Sequence, residues 1–154
     1  MARDLSHGPE GRRVAAQPAV LAALVLLTAV LGLVWRSRQG RVRTVRRNGD
    51  VDWAAHGVTL GERATFVQLS ARVCAPCRAT ARALADVAGG ADGVVHHELD
   101  VEEHLGLTRE LAVLTTPTVL VLDPAGAESA RSSGAMTVAQ ARRALDAVDA
   151  VARA

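Results

Sequence analysis

Ser70-Ala71-Arg72-Val73-Cys74-Ala75-Pro76-Cys77-Arg78 holds the only two cysteines of a 154-residue chain. An apolar, strand-like run, Phe66-Val67-Gln68-Leu69, comes just before it, and a helical pattern up to Ala88 follows it. The pair therefore sits where a strand hands over to a helix. A thiol at the start of a helix lies at the positive end of the peptide dipoles, where the thiolate is favoured. That placement points to thiol–disulfide chemistry. Two other readings remain open for a Cys-x-x-Cys pair. It could be half of a zinc site, although no second Cys-x-x-Cys and no His-x-x-x-His accompany it, and His96, His97 and His104 are the only nearby candidates. It could also be an inert structural disulfide, which stabilises little across so short a loop.

Composition allows one modest domain plus an anchor. All 18 basic residues are Arg, and the net charge of +2 conceals an asymmetry. Residues 1–50 carry nine Arg against Asp4, Glu10 and Asp50, whereas residues 51–154 carry nine Arg against 13 acids. The C-terminal part is thus acidic and poor in aromatics, which argues against a nucleic-acid partner.

Ala19 to Trp35 is a 17-residue run interrupted only by Thr28 and Gly32. As a helix it would measure about 26 Å, close to the ~30 Å hydrocarbon core of a bilayer. It has no polar face, and Trp35 suits the membrane interface. A buried core helix and a cleaved signal peptide are the alternatives. The run ends in Trp35-Arg36-Ser37-Arg38 and not in small residues, so an uncleaved transmembrane helix is expected over 19–35. It would follow an N-terminal tail over 1–18. Six arginines follow the run and three precede it. This bias favours a domain facing the cytoplasm; the extracytoplasmic face is the alternative, with Arg12-Arg13 as the feature in its favour. Residues 36–50 read as a basic juxtamembrane linker in contact with membrane lipid, and the domain is expected over 51–154.

Within that domain, strands are expected at 66–69, 94–99 and 118–122, with helices at 77–88 and 102–111. Asp123-Pro124-Ala125-Gly126 has the chemistry of a turn, and 128–132 should return as a hairpin strand. Thr137 and Gln140 form a capping-box pattern opening a last amphipathic helix. The order β-α-β-α-β-β-α implies an α/β fold, a mixed sheet with helices on its faces.

The chain resembles the thioredoxin family. The resemblance rests on Cys74-Ala75-Pro76-Cys77 between a strand and a helix, on Thr116-Pro117 directly before the apolar strand, and on the hairpin followed by Gly134 and a terminal helix. It spans about residues 58–152. It implies a thioredoxin-like fold and a redox-active disulfide, with Cys74 as the attacking thiol and Cys77 resolving the mixed disulfide. It implies a cis bond before Pro117, with the backbone of Thr116 pairing to substrate. Pro76 is tolerated in the first helical turn and, by resemblance, favours reducing character. Ala75 and Val73 stand where the family commonly has Gly and Trp. No cofactor or metal is implied. The partners would be protein disulfides and a thiol electron donor or acceptor. A non-catalytic adaptor or metal-handling module on the same fold is the alternative function.

Gln68 departs from the family, which usually has a buried Asp six residues before the first cysteine as a proton relay. Gln68 cannot titrate. Glu98 and Asp100 could substitute, but solvated strand-end acids are the simpler expectation for both. His56, His96, His97 and His104 read as surface residues.

Overall fold

The computed structural model describes residues 10–38, 42–47 and 51–152, with side chains at 20–34, 51–150 and 152. The chain forms two compact units, Met1–Arg38 and Gln39–Ala154.

The described residues of the first unit form one helix, α1 (Glu10–Arg38), of 29 residues. Every described side chain on it, from Val20 to Val34, is exposed. Among the described residues no helix is long and apolar enough to cross a membrane. The described 20–34 stretch spans only about 22 Å. The hydroxyl of Thr28 donates back to the carbonyls of Val25 and Leu24, at 2.9 and 3.0 Å, so this polar group is satisfied within the helix.

The second unit contains β1 (Val42–Arg47), a 3-10 turn (Ala54–His56), β2 (Ala64–Ser70), α2 (Ala75–Gly89), β3 (Val94–Asp100), α3 (Leu105–Glu110), β4 (Thr118–Leu122), β5 (Glu128–Ser133) and α4 (Val138–Ala152). The sheet order is β1-β5-β4-β2-β3. β2 and β3 are parallel, whereas β4 runs antiparallel to both β2 and β5. β1 was not expected. It lies inside the basic stretch 36–50 that reads as a linker, and it pairs antiparallel with β5, Val42 opposite Ser132 and Thr44 opposite Ala130.

β2 and β4 are buried along their whole lengths. That is why Thr118–Leu122 reads as an unbroken apolar run and not as an alternation. Their side chains divide between two layers. Ala64, Phe66, Val119 and Val121 pack with Leu84 and Val87 of α2 and with Ala141, Ala144, Leu145 and Val148 of α4. Val67, Leu69, Leu120 and Leu122 pack with Leu107 of α3, with Leu111 just after it and with Trp53.

The capping box forms as expected. Thr137 N–H donates to Gln140 Oε1 at 2.8 Å, and Gln140 N–H donates to Thr137 Oγ1 at 3.3 Å. The middle helix is shorter than expected, because 101–104 form turns before α3 begins at Leu105.

Candidate active site

Cys74 is the N-cap of α2. Its backbone is extended, and Cys77 N–H points at its sulfur at 3.1 Å. Pro76 falls in the first turn of α2, where the missing N–H is one that the helix leaves unpaired anyway. The sulfurs of Cys74 and Cys77 are joined in a disulfide, with Cα atoms 5.2 Å apart. Its two ends differ in access. Cys77 is 1% exposed, whereas Cys74 is only half-buried.

The Thr116–Pro117 bond is cis, in agreement with the resemblance. Sheet register brings this bond to the disulfide's end of the molecule. Leu69, near the end of β2, lies opposite Thr118, the first residue of β4. The loop carrying Cys74 and the loop carrying Thr116 and Pro117 therefore leave neighbouring strands on the same side. Pro117 is buried, and its carbonyl accepts from Gly134 N–H at 2.7 Å; Thr116 is half-buried. Two large apolar side chains flank these loops without cover. Val73, just before Cys74, is 97% exposed, and Leu114, two residues before Thr116, is 95% exposed.

Beneath the disulfide the structure shows a polar cluster that the sequence did not disclose. Gln68 is fully buried. Its Nε2 donates to Ser70 Oγ at 2.7 Å, to Glu98 Oε1 at 3.0 Å and to the Cys77 carbonyl at 3.0 Å. Ser70 Oγ donates to Glu98 Oε1 at 2.6 Å. Glu98 is exposed, yet it is no simple solvated strand-end acid. Its position opposite Gln68 in the parallel β2–β3 pair carries it to this cluster. Asp100 instead accepts from Arg72 Nε at 3.2 Å, and Glu103 accepts from Arg72 Nη2 at 2.9 Å. The charge of Asp100, its hydrogen bond, and the charges of Glu103 and Glu102 hold the Arg72 guanidinium above its ordinary pKa.

The histidines correct the surface reading. The Nδ1 atoms of His56 and His104, both half-buried, lie 3.3 Å apart. His97 Nε2 lies 3.0 Å from the carbonyl oxygen of Thr59. Burial pushes the His96 imidazole below its usual range, against the pull of Glu98. Among the described residues no group of three or more His, Cys, Asp or Glu is placed to hold a metal ion.

No protein-family model matches the chain, and no curated protein matches it. Solved structures do. The chain is similar to the crystal structure of chloroplastic thioredoxin z, at 27% identity and a TM-score of 0.53, over 58% of this chain and 80% of that one. It is similar to thioredoxin from Fasciola hepatica, at 26% identity and a TM-score of 0.50, over 56% of this chain and 81% of that one. The fold is thioredoxin-like. A Schistosoma mansoni thioredoxin pre-protein shares it at 17% identity and a TM-score of 0.50, over 66% of this chain and 92% of that one. The thioredoxin-like unit of this chain carries a Cys-x-x-Cys disulfide of the redox type, between a strand and a helix.

Proposed function

We propose that the protein is a membrane-tethered thiol–disulfide oxidoreductase that reduces protein disulfides through Cys74 and Cys77. The observation that carries this reading is the unequal access of the two sulfurs, with Cys74 half-buried at the helix start and Cys77 covered. An enzyme of this kind needs one sulfur that meets substrate and one that waits. In the reduced protein the Cys74 thiolate attacks one sulfur of a substrate disulfide, and the other substrate sulfur leaves as a thiolate. Cys77 then gives up its proton and attacks Cys74, which releases the second substrate thiolate and closes the Cys74–Cys77 bond. The substrate gains two electrons and the protein loses them. A thiol donor of another protein or small molecule restores the dithiol by the same exchange.

Substrate would lie across the Thr116–Pro117 loop, its strand pairing with the backbone of Thr116. Val73 and Leu114 offer apolar contact on either side, which suits an unfolded or loosely folded segment around the target disulfide. α1 serves as the tether. Fifteen consecutive exposed residues with no charge among them, and a hydroxyl satisfied inside the helix, suit a lipid environment better than water. The excess of arginines after Trp35 favours the cytoplasmic face.

Two measurements test this. Equilibration of the detergent-solubilised full chain in thiol buffers should show a reversible two-electron couple at Cys74–Cys77; its absence would favour a non-catalytic adaptor. A reporter fused after Ala154 should be fluorescent as a cytoplasmic protein and inactive as an alkaline phosphatase. Strong phosphatase activity would place the domain outside.

A further inference from the structure

The side chain of Gln68 has no exposed surface, yet it ends in an amide. Its nitrogen faces the oxygens of Ser70, Glu98 and Cys77, all at 3.0 Å or less. The Cys77 carbonyl and the Glu98 carboxylate accept and cannot donate. Ser70 spends its own proton on Glu98. Turning the amide over would set its oxygen against all three, so the cluster locks the orientation. The consequence falls on the other end of the amide. Gln68 Oε1 is buried and has no hydrogen-bond partner among the described residues. An unpaired buried carbonyl is costly, and a native structure that keeps one has reason to fill it in another state.

The disulfide supplies that second state. With the S–S bond closed, Cys77 has no S–H to donate. Reduction adds two electrons, breaks the bond and leaves Cys74 as the thiolate, while one proton taken up makes Cys77 a thiol. A donor then appears on the residue whose own carbonyl already holds the Gln68 amide. We propose that Glu98 is a positioning residue for the redox couple: with Ser70 it locks the Gln68 amide so that Oε1 accepts from the Cys77 thiol when the disulfide opens. The inference rests on the oxidoreductase reading above. An acceptor for the neutral thiol favours that form over the thiolate, and it favours the reduced protein over the disulfide.

The test is the thiol–disulfide equilibrium of the full chain in detergent, set by glutathione buffers at fixed pH and read by alkylation and mass. Glu98→Ala unlocks the amide. It should lower the reduced-to-oxidised equilibrium constant about tenfold, which is about 30 mV toward more negative potential for two electrons. The Cys77 thiol should also ionise at lower pH. Glu98→Gln keeps an oxygen that can accept from Ser70 and Gln68, and should restore the wild-type equilibrium. Ser70→Ala should move in the direction of Glu98→Ala and serves if that variant does not fold. An unmoved equilibrium in Glu98→Ala and Ser70→Ala overturns the proposal. Equal shifts in Glu98→Ala and Glu98→Gln overturn it as well, since charge and not amide orientation would then be the cause. A wild-type chain with no reversible couple removes the oxidoreductase reading and this proposal together, and is distinct from a normal couple that the variants leave unmoved.

Discussion

The indole N–H of Trp53 donates to the carbonyl oxygen of Gly126 at 2.8 Å, joining residues 73 positions apart. Gly126 has φ +80°, and a Cβ there would lie 3.0 Å from Trp53 Cδ1. The turn between β4 and β5 and the buried indole are thus fitted to each other, and this contact pins the segment before β2 under the far end of the hairpin. Trp53→Phe should cost about 1–3 kcal/mol, because it leaves the Gly126 carbonyl without its donor. Trp53→Ala should cost about 3–5 kcal/mol. Urea unfolding followed by circular dichroism checks both, and a Trp53→Phe variant as stable as wild type would show that water replaces the indole.

The two thiols should divide the work. Cys77→Ser leaves the accessible Cys74 to form a mixed disulfide that nothing resolves, so dithiothreitol-sensitive adducts should accumulate in cells. Cys74→Ser leaves only a sulfur at a position 1% exposed in the native chain, and should trap almost nothing. Equal trapping by both variants would reverse the assignment of the nucleophile.

His96 gives the domain a pH dependence of known sign. Its folded pKa is lowered, chiefly by burial, so the unfolded chain binds the proton more readily. The stability it contributes is fully present above the unfolded value of ~6.5 and is lost as pH falls from there toward the folded pKa. The urea midpoint of wild type should fall across this window more than that of His96→Gln. Parallel pH profiles for the two proteins would mean that His96 is no less basic folded than unfolded.

Arg131 and Glu128 form a two-pronged pair, at 2.6 Å from Nε to Oε1 and 2.8 Å from Nη2 to Oε2, and Arg131 Nη1 also donates to the Leu111 carbonyl at 2.7 Å. The Glu128 side chain is 5% exposed. Arg131→Met strands a buried carboxylate and should cost about 3–5 kcal/mol. Adding Glu128→Met should recover part of that loss, and a double-mutant cycle measures how much.

The pattern of the chain disclosed what depends on neighbours in sequence. β4 carries a run of β-branched and leucine residues with Pro117 before it and a turn after it, so both its ends were legible. Thr137 and Gln140 declared the start of α4 for the same reason. What escaped depends on partners far along the chain. Val42–Arg47 is half arginine, and nothing local tells an edge strand of that composition from a linker; its partner β5 decides. Glu98 looked solvated because its meeting with Gln68 requires the register of β2 against β3. The Gln68–Ser70 pairing had a local trace, since residues two apart in a strand share a face, but the acceptors they serve did not.

β1 changes where this protein can be cut. Its sequence invites a soluble fragment starting at Val51, just past the arginines. That fragment would strip the outermost strand from the sheet and leave the backbone donors and acceptors of β5 open along one side. An open edge of this kind recruits other chains, so such a preparation would tend to self-associate for reasons unrelated to its chemistry. A fragment that keeps Val42–Arg47 carries its own protection, and its basic residues belong to the sheet as much as to the segment that precedes it.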